Sequence, residues 1–281
     1  TRTVVRTGKA ARVCGDGEDG ALGLKIDTTT NEVIVDHALQ EHLHTTDDGN
    51  PVRGDVVGAM QVDSIFRRKK ASGKMRRDRS RKTLGDNCPL IYALKQREGL
   101  WVSRSSIKTL NMYLPQIVSE VCDSLNGHVT CIVTIPSQHP LAGILAKRIS
   151  RNLGIPVFGG VLRKNTFYQA SRRADILLNS KPALKAAGVS QQDEKQLRNV
   201  MTKGMRQAAA SYSSKDVGTK IRGHFDPLRL AVGAALPSAQ DRVLLVDDLM
   251  ATGETLLAGA ALLRAQGIPN VNRSVTWFSK V

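Results

Sequence analysis

Two adjacent carboxylates end an apolar run in the segment VLLVDDLMATGETL, residues 243–256. Asp247 and Asp248 repel each other, and a strand end gains no stability from such a pair. We therefore expect this position to serve a partner that needs negative charge. Thr252, Gly253 and Thr255 follow at once. Hydroxyl donors and a glycine at the turn into a helix are typical of a site that holds an anion.

The turn after the acidic pair has the properties of a phosphate cradle. A helix that begins near Gly253 leaves the N–H groups of its first turn unpaired, with the positive end of the helix dipole behind them. The cradle is predicted at Met250, Ala251, Thr252, Gly253, Glu254 and Thr255. The Glu254 side chain is expected to be exposed and to point away from the phosphate. Asp247 and Asp248 suit sugar hydroxyls, or a Mg²⁺ ion that bridges to other phosphates, so the pattern describes a ribose 5-phosphate site.

The elements around this segment alternate between strand and helix. HVTCIVTIP is a β-branched run typical of a buried parallel strand, and LAGILAKRISRNLG has helical spacing that ends at a glycine. RVLLVDD, ETLLAGAALLRAQG and VNRSVTWFS repeat the order strand, helix, strand. This alternation predicts an α/β fold with a parallel sheet. Ligands of such sheets bind beyond the carboxyl ends of the strands, where the loops after Ile135 and Val246 lie.

The segment VLLVDDLMATGET resembles the phosphoribosyl pyrophosphate (PRPP) motif of type I phosphoribosyltransferases, in which two acidic residues precede a small residue–Thr–Gly–x–Thr run. The stretch from VTIPSQHP to GVLRKN is similar to the pyrophosphate-loop region of the ComF-like branch of that family. The resemblance covers about residues 110–281. It implies a phosphoribosyltransferase-like domain there, with a parallel sheet flanked by helices and a basic insertion at 163–222. Residues 1–109 would be an irregular α+β or β-rich hood or extension.

The resemblance also implies an activity and its residues. The chain would be a glycosyltransferase that moves ribose 5-phosphate from PRPP to a nucleobase or an amine and releases pyrophosphate. Asp247 and Asp248 would be the catalytic residues and the Mg²⁺ site, the ion being bound directly or indirectly. Pyrophosphate would be held by Pro136, Ser137, Gln138 and His139. A lid over the site would use Arg163, Lys164, Arg172 and Arg173.

One departure from the family pattern and two further positions leave alternatives open. The ComF-like pyrophosphate loop carries arginines, whereas SQHPLAGIL contains none, so binding would rest on backbone donors exposed by a cis peptide at Ser137–Gln138. His139 either binds pyrophosphate or caps the loop. Trp277 and Phe278 either stack on an acceptor base or pack in the core.

A second class of function competes with the enzyme. The net charge is +16, and residues 66–87 carry ten Lys and Arg against two Asp, which indicates a solvated loop or a polyanion-binding arm. A phosphoribosyltransferase fold could therefore act as a DNA- or RNA-binding regulator that responds to PRPP without catalysis. In a third reading, a transferase would dock an acceptor base within a nucleic acid. The predicted nucleic-acid contacts are Arg67, Arg68, Lys69, Lys70, Lys74, Arg76 and Arg77.

The remaining features of the composition indicate the cellular compartment. No apolar run reaches the length of a membrane span, and the first residues lack the apolar core of a secretion signal. The four cysteines show no C-x-x-C spacing and are expected to be buried thiols in a reducing compartment. These features predict a cytoplasmic protein without a membrane partner, and the resemblance implies a homodimer.

Overall fold

The computed structural model describes residues 23–38, 43–67, 88–214, 217–218 and 220–279. The central element of this part of the chain is a six-stranded mixed sheet in the order β3-β4-β10-β9-β5-β6. The edge strand β3 runs antiparallel to β4, and every other neighbouring pair is parallel. The strands of the whole described chain are β1 Leu24–Asp27, β2 Glu32–Val35, β3 Gly54–Val57, β4 Met60–Arg67, β5 Cys131–Thr134, β6 Val157–Phe158, β7 Leu162–Lys164, β8 Leu228–Leu230, β9 Val243–Leu249 and β10 Arg273–Ser279.

Helices flank this sheet, so the predicted α/β class is confirmed. Those of the described residues are α1 Pro89–Leu94, α2 Arg104–Leu110, α3 Leu114–Leu125, α4 Leu141–Leu153, α5 Phe167–Ala170, α6 Arg172–Leu178, α7 Lys181–Ala186, α8 Gln191–Met205 and α9 Glu254–Arg264. Helices α3 and α4 cover one face of the sheet, where Leu145 and Ile149 pack against Leu244 and Val246. Helix α9 covers the other face, where Leu256 belongs to the second apolar cluster.

The β-branched runs form central strands because both of their faces are buried. Val243, Leu244, Leu245 and Val246 are all inaccessible to solvent, and successive side chains enter opposite clusters. Burial of this kind favours continuous apolar sequence over alternation. The run therefore ends where the sheet ends, and the first polar side chains after it lie at the carboxyl edge.

The N-terminal segment contributes two strands to the main sheet. Strand β4 pairs in parallel with β10, with Ser64 opposite Thr276, and β3 forms a hairpin with β4. Strands β1 and β2 form a separate antiparallel pair. The predicted division of the chain at residue 110 stays a prediction, and the sheet itself uses strands from both sides of it.

The basic insertion forms a small helical layer. The sequence of this insertion predicts a helix around 193–210, and the structure places α8 at Gln191–Met205, with α5, α6 and α7 before it. These helices enclose their own apolar cluster, which includes Leu197, Tyr212 and Phe225. The antiparallel pair of β7 and β8 joins the layer to the main body.

Three cysteines are buried as expected. Cys88, Cys122 and Cys131 have at most 3% of their surface exposed, and burial raises the pKa of the Cys122 and Cys131 thiols to about 11. Cys14 lies outside the described residues. Within the described part of the chain, none of the helices combines the length and apolar character needed to cross a bilayer.

A buried carboxylate on β4 predicts a pH-dependent stability. Asp63 is 1% exposed, and neither of its oxygens has a hydrogen-bond partner. Burial raises the pKa of Asp63, and the charge of Arg273 opposes that shift. Because the folded state holds this proton more tightly than the unfolded state, the free energy of unfolding falls as the pH rises above the ordinary carboxyl value.

We expect Asp63→Asn to remove this fall and to raise the free energy of unfolding at pH 8 by about 1 kcal/mol. Urea unfolding between pH 4 and 8 measures both effects. Asp123→Asn, at an exposed position on α3, is the matched control. Parallel pH curves for the wild type and Asp63→Asn would contradict the prediction.

Candidate functional site

One cavity of about 310 Å³ lies beyond the carboxyl ends of β5 and β9. These strands are neighbours, with Thr134 opposite Val246, so the loops that follow them meet at one edge of the sheet. The cavity brings together the predicted residues Pro136, Ser137, Gln138, His139, Lys164, Asp247, Asp248, Met250, Ala251, Thr252, Gly253, Glu254 and Thr255. Of the four predicted lid residues it includes Lys164 alone. Arg163, Arg172 and Arg173 are exposed outside it, and Arg172 lies over the Tyr168 ring.

The acidic pair is held by a short hydrogen-bond network. Asp248 is 6% exposed, and its Oδ2 accepts from Ser137 Oγ at 2.8 Å and from Lys95 Nζ at 2.7 Å. The Asp248 amide donates to Asp247 Oδ1 at 2.7 Å. A protein cation was not expected as a partner of the acidic pair, and the Lys95 ammonium corrects that part of the prediction, because it compensates the buried Asp248 charge within the chain. The sugar-hydroxyl and magnesium partners of the pair stay predictions.

Asp247 carries the strongest electrostatic perturbation of the site. Burial, followed by the charge of Asp248, raises the pKa of the Asp247 carboxyl to about 7. The Asp248 amide and the charges of Lys95 and Lys164 oppose this shift. At neutral pH the carboxyl therefore lies near its titration midpoint, so a ligand that binds its ionised form has to compete with a proton.

The predicted phosphate cradle lies at the start of α9. Gly253 has φ +78°, a left-handed conformation that costs glycine little, and a Cβ there would lie 2.5 Å from Val57 Cγ1. The first-turn amides of α9 have no acceptor within the helix. The Met250 amide is different, because it donates to the Phe278 carbonyl at 2.9 Å. Glu254 is half-buried in the cavity wall rather than exposed, and burial raises its pKa.

The loop at residues 136–139 contains no cation. Ser137 Oγ accepts from the His139 amide at 3.3 Å while it donates to Asp248. Burial, followed by the charges of Lys95 and Arg97, lowers the pKa of the His139 imidazole, so the ring is neutral at pH 7. Every described peptide bond is trans, so the expected cis peptide at Ser137–Gln138 is wrong.

Basic side chains from two other segments line the cavity. Lys95 and Arg97 follow α1, and Arg222 comes from the helical layer, where its Nε donates to the Val217 carbonyl at 2.7 Å. The charge of Arg222 also acts on Glu254 in the cradle. Sequence reasoning missed Lys95 and Arg97 because ALKQREGL has no recognisable motif, and the only available signal was two basic residues after a short apolar helix. It missed Arg222 because a single arginine within a basic insertion carries no signal of its own.

Two predicted features take no part in the cavity. Trp277 Nε1 donates to the Leu141 carbonyl at 2.7 Å and its ring stacks against Phe66, so core packing is confirmed for Trp277, and Phe278 is buried in the same cluster. Arg67 ends β4 and is half-buried. The remaining predicted nucleic-acid contacts lie outside the described residues: Arg68, Lys69, Lys70, Lys74, Arg76 and Arg77.

Comparison with known proteins yields one short match. The chain is 60% identical over 42 residues to an adenine phosphoribosyltransferase of Sphingopyxis alaskensis. This stretch is similar to a phosphoribosyltransferase. It covers 15% of the present chain and 22% of the relative, so most of both proteins lies outside the similarity. No protein-family model matches the chain.

Proposed function

We propose that the chain is a PRPP-dependent phosphoribosyltransferase of the type I fold, in which residues 110–281 carry the catalytic domain. The observation that carries this proposal is the shared cavity of the acidic pair, the cradle before α9 and the loop at 136–139. The short similarity to a phosphoribosyltransferase supports the same reaction class. The acceptor in this proposal is a nitrogen nucleophile, either a nucleobase or an amine.

The reaction breaks the bond between ribose C1 and a pyrophosphate oxygen, and the electron pair leaves with pyrophosphate. A nitrogen of the acceptor then forms the new bond to C1. Positive charge grows on the sugar in the transition state, and negative charge grows on the leaving group. The ionised Asp247 and Asp248 accept hydrogen bonds from the ribose hydroxyls and fix the sugar. The first-turn amides of α9 and the Thr252 and Thr255 hydroxyls hold the 5-phosphate.

The donor set also fits a magnesium ion. Mg²⁺ in proteins uses one or two carboxylates together with substrate phosphates and water, and Asp247 and Asp248 are two carboxylates at the edge of a phosphate-binding cavity. They would hold the ion directly or through the ribose hydroxyls, and the ion would supply neutralisation of the pyrophosphate charge. Lys164 lines the same cavity and adds a positive charge that acts on both Asp247 and His139.

Isothermal titration with PRPP and Mg²⁺ tests the proposal. We expect binding heat with the wild type, and none with Asp247→Asn/Asp248→Asn, because the amides cannot replace charged acceptors of ribose hydroxyls. Asp123→Asn, at an exposed site, should bind as the wild type does. Pyrophosphate release during a screen of nucleobases and amines then identifies the acceptor. Absence of heat in the wild type would overturn the transferase, and salt-dependent DNA and RNA binding through residues 66–87 would be measured next.

A further inference from the structure

The ion pair between Lys95 and Asp248 is the least expected contact of the cavity. The two side chains are 11% and 8% exposed, and Nζ lies 2.7 Å from Oδ2. A buried pair of this kind pays a desolvation cost that its attraction only partly recovers, so it is weak support for a purely stabilising role. Across the described part of the chain, Asp248 is the only acceptor we find for this ammonium. The other two protons of Nζ are left for a ligand in the cavity.

The segment after Lys95 is a turn with a fixed backbone. Gln96 has φ +50° and Glu98 has φ +54°, left-handed values that side-chain-bearing residues rarely adopt. The turn is closed from α1, because the Tyr92 carbonyl accepts from the Lys95 and Arg97 amides at 3.2 and 2.9 Å. Lys95 and Arg97 stand on either side of Gln96, and both line the cavity.

In the free protein, neither side of the cavity offers the charge that the proposed substrate would require there. The loop at 136–139, which faces the leaving group in the proposed reaction, offers a neutral imidazole and a hydroxyl. Lys95 is bound instead to the carboxylate that the ribose hydroxyls and the magnesium ion would require. A ligand that engages Asp248 through its sugar therefore releases an ammonium beside its own pyrophosphate.

We propose that Lys95 is an exchangeable counterion: it neutralises Asp248 in the free protein and transfers to a pyrophosphate oxygen when the acidic pair binds the sugar. This inference rests on the proposed function, because it names the cation of the pyrophosphate subsite. The transfer explains how the loop at 136–139, which contains no arginine, takes part in binding pyrophosphate. It also makes the protein cation and the divalent ion competitors for the same carboxylate.

Two variants separate exchange from a structural role. Mn²⁺ alone, followed by the electron paramagnetic resonance of the free ion, reports on the acidic pair, and inorganic pyrophosphate alone, followed by calorimetry, reports on the leaving-group side. We expect Lys95→Met to bind Mn²⁺ about tenfold more tightly and pyrophosphate about tenfold more weakly than the wild type. The shape-matched Asp248→Asn frees the ammonium, so it should bind pyrophosphate more tightly than the wild type.

Lys164→Met is the matched control, since Lys164 lines the cavity without an ion pair to Asp248. It should weaken pyrophosphate binding and change Mn²⁺ binding less than Lys95→Met does, because its charge acts on Asp247 without an ion pair to Asp248. Unchanged or weaker Mn²⁺ binding by Lys95→Met, or unchanged or weaker pyrophosphate binding by Asp248→Asn, would overturn the exchange. Neither titration needs turnover. If the wild type binds PRPP with heat and Lys95→Met binds Mn²⁺ as the wild type does, the exchange is rejected and the transferase is not. If Lys95→Met binds Mn²⁺ more tightly and the wild type gives no heat with PRPP, the transferase is rejected and Lys95 is retained as the counterion of Asp248.

Discussion

Gly253→Ala is expected to lower the free energy of unfolding by about 2–4 kcal/mol and to weaken PRPP binding at least about tenfold. Two costs add at this residue. Its φ of +78° is left-handed, and the new Cβ would lie 2.5 Å from Val57 Cγ1 on the β3–β4 hairpin. The cradle can relieve the overlap only by moving away from Val57, which displaces the amides at the start of α9. Urea unfolding and calorimetric titration with PRPP measure the two effects.

Gly267→Ala provides the matched control. Gly267 has φ +79°, but no atom lies within 4 Å of the position that its Cβ would take. The free energy of unfolding of this variant should therefore fall by only about 1–2 kcal/mol, the cost of alanine in a left-handed conformation. Its PRPP affinity should equal that of the wild type. Adding Val57→Ala to Gly253→Ala should restore a large part of the binding. Equal losses in the two glycine variants would show that the contact with Val57 is unimportant.

The affinity for PRPP and Mg²⁺ is expected to rise with pH up to about 7 and to be constant above it. The raised pKa of Asp247, about 7, leaves this carboxyl protonated at lower pH, and a protonated carboxyl is a poor acceptor for ribose hydroxyls and a poor ligand for the metal. Each pH unit below the pKa should weaken binding by about tenfold. Calorimetric titrations between pH 5.5 and 8.5, in buffers of matched ionic strength, measure the slope.

The raised pKa of Asp247 has the opposite effect on the free energy of unfolding. The folded state binds the Asp247 proton more tightly than the unfolded state, so the free energy of unfolding falls as the pH rises from about 4 to about 7. Asp247→Asn removes the contribution of this carboxyl to the fall, and the pH dependence left in its binding curve comes from the ligand's phosphates and from other cavity groups such as His139 and Glu254. A wild-type binding curve that parallels that of Asp247→Asn would mean that Asp247 does not bind the ligand in its ionised form.

Local patterns predicted the elements that carry the cradle. The apolar run before Asp247 became β9, and the helical spacing after Gly253 became α9, because both depend on neighbours within a few residues. The apolar run IPVFGGVL is typical of one strand but forms two short ones, β6 and β7, since Gly160 takes a left-handed φ between them. The helical spacing around Pro115 predicts a kink or a broken start at the proline. The structure confirms the break, because α2 and α3 are separate and the proline lies in the first turn of α3.

The rest of the site depends on contacts that no local pattern contains. Lys95 meets Asp248 across about 150 residues of chain, and Arg222 reaches the cavity from a separate helical layer. Single basic residues carry no information on such partners, because a solvated lysine and an ion-paired lysine have the same sequence signature. The pairing of β4 with β10 was not predicted for the same reason, since the apolar pattern of VNRSVTWFS indicates a strand and does not specify its neighbour in the sheet.

That pairing determines when the sheet can close during synthesis. Strand β4 has only the β3 hairpin as a strand partner until residues 273–279 of β10 have left the ribosome, because its other neighbour in the sheet is β10 itself. An isolated hairpin is marginally stable in water, and the edge of β4 that pairs with β10 lacks its hydrogen-bond partners during this interval. The closure of the sheet by β10 is therefore expected to be the step that fixes the β3–β4 hairpin, and with it the place of Val57 beside Gly253.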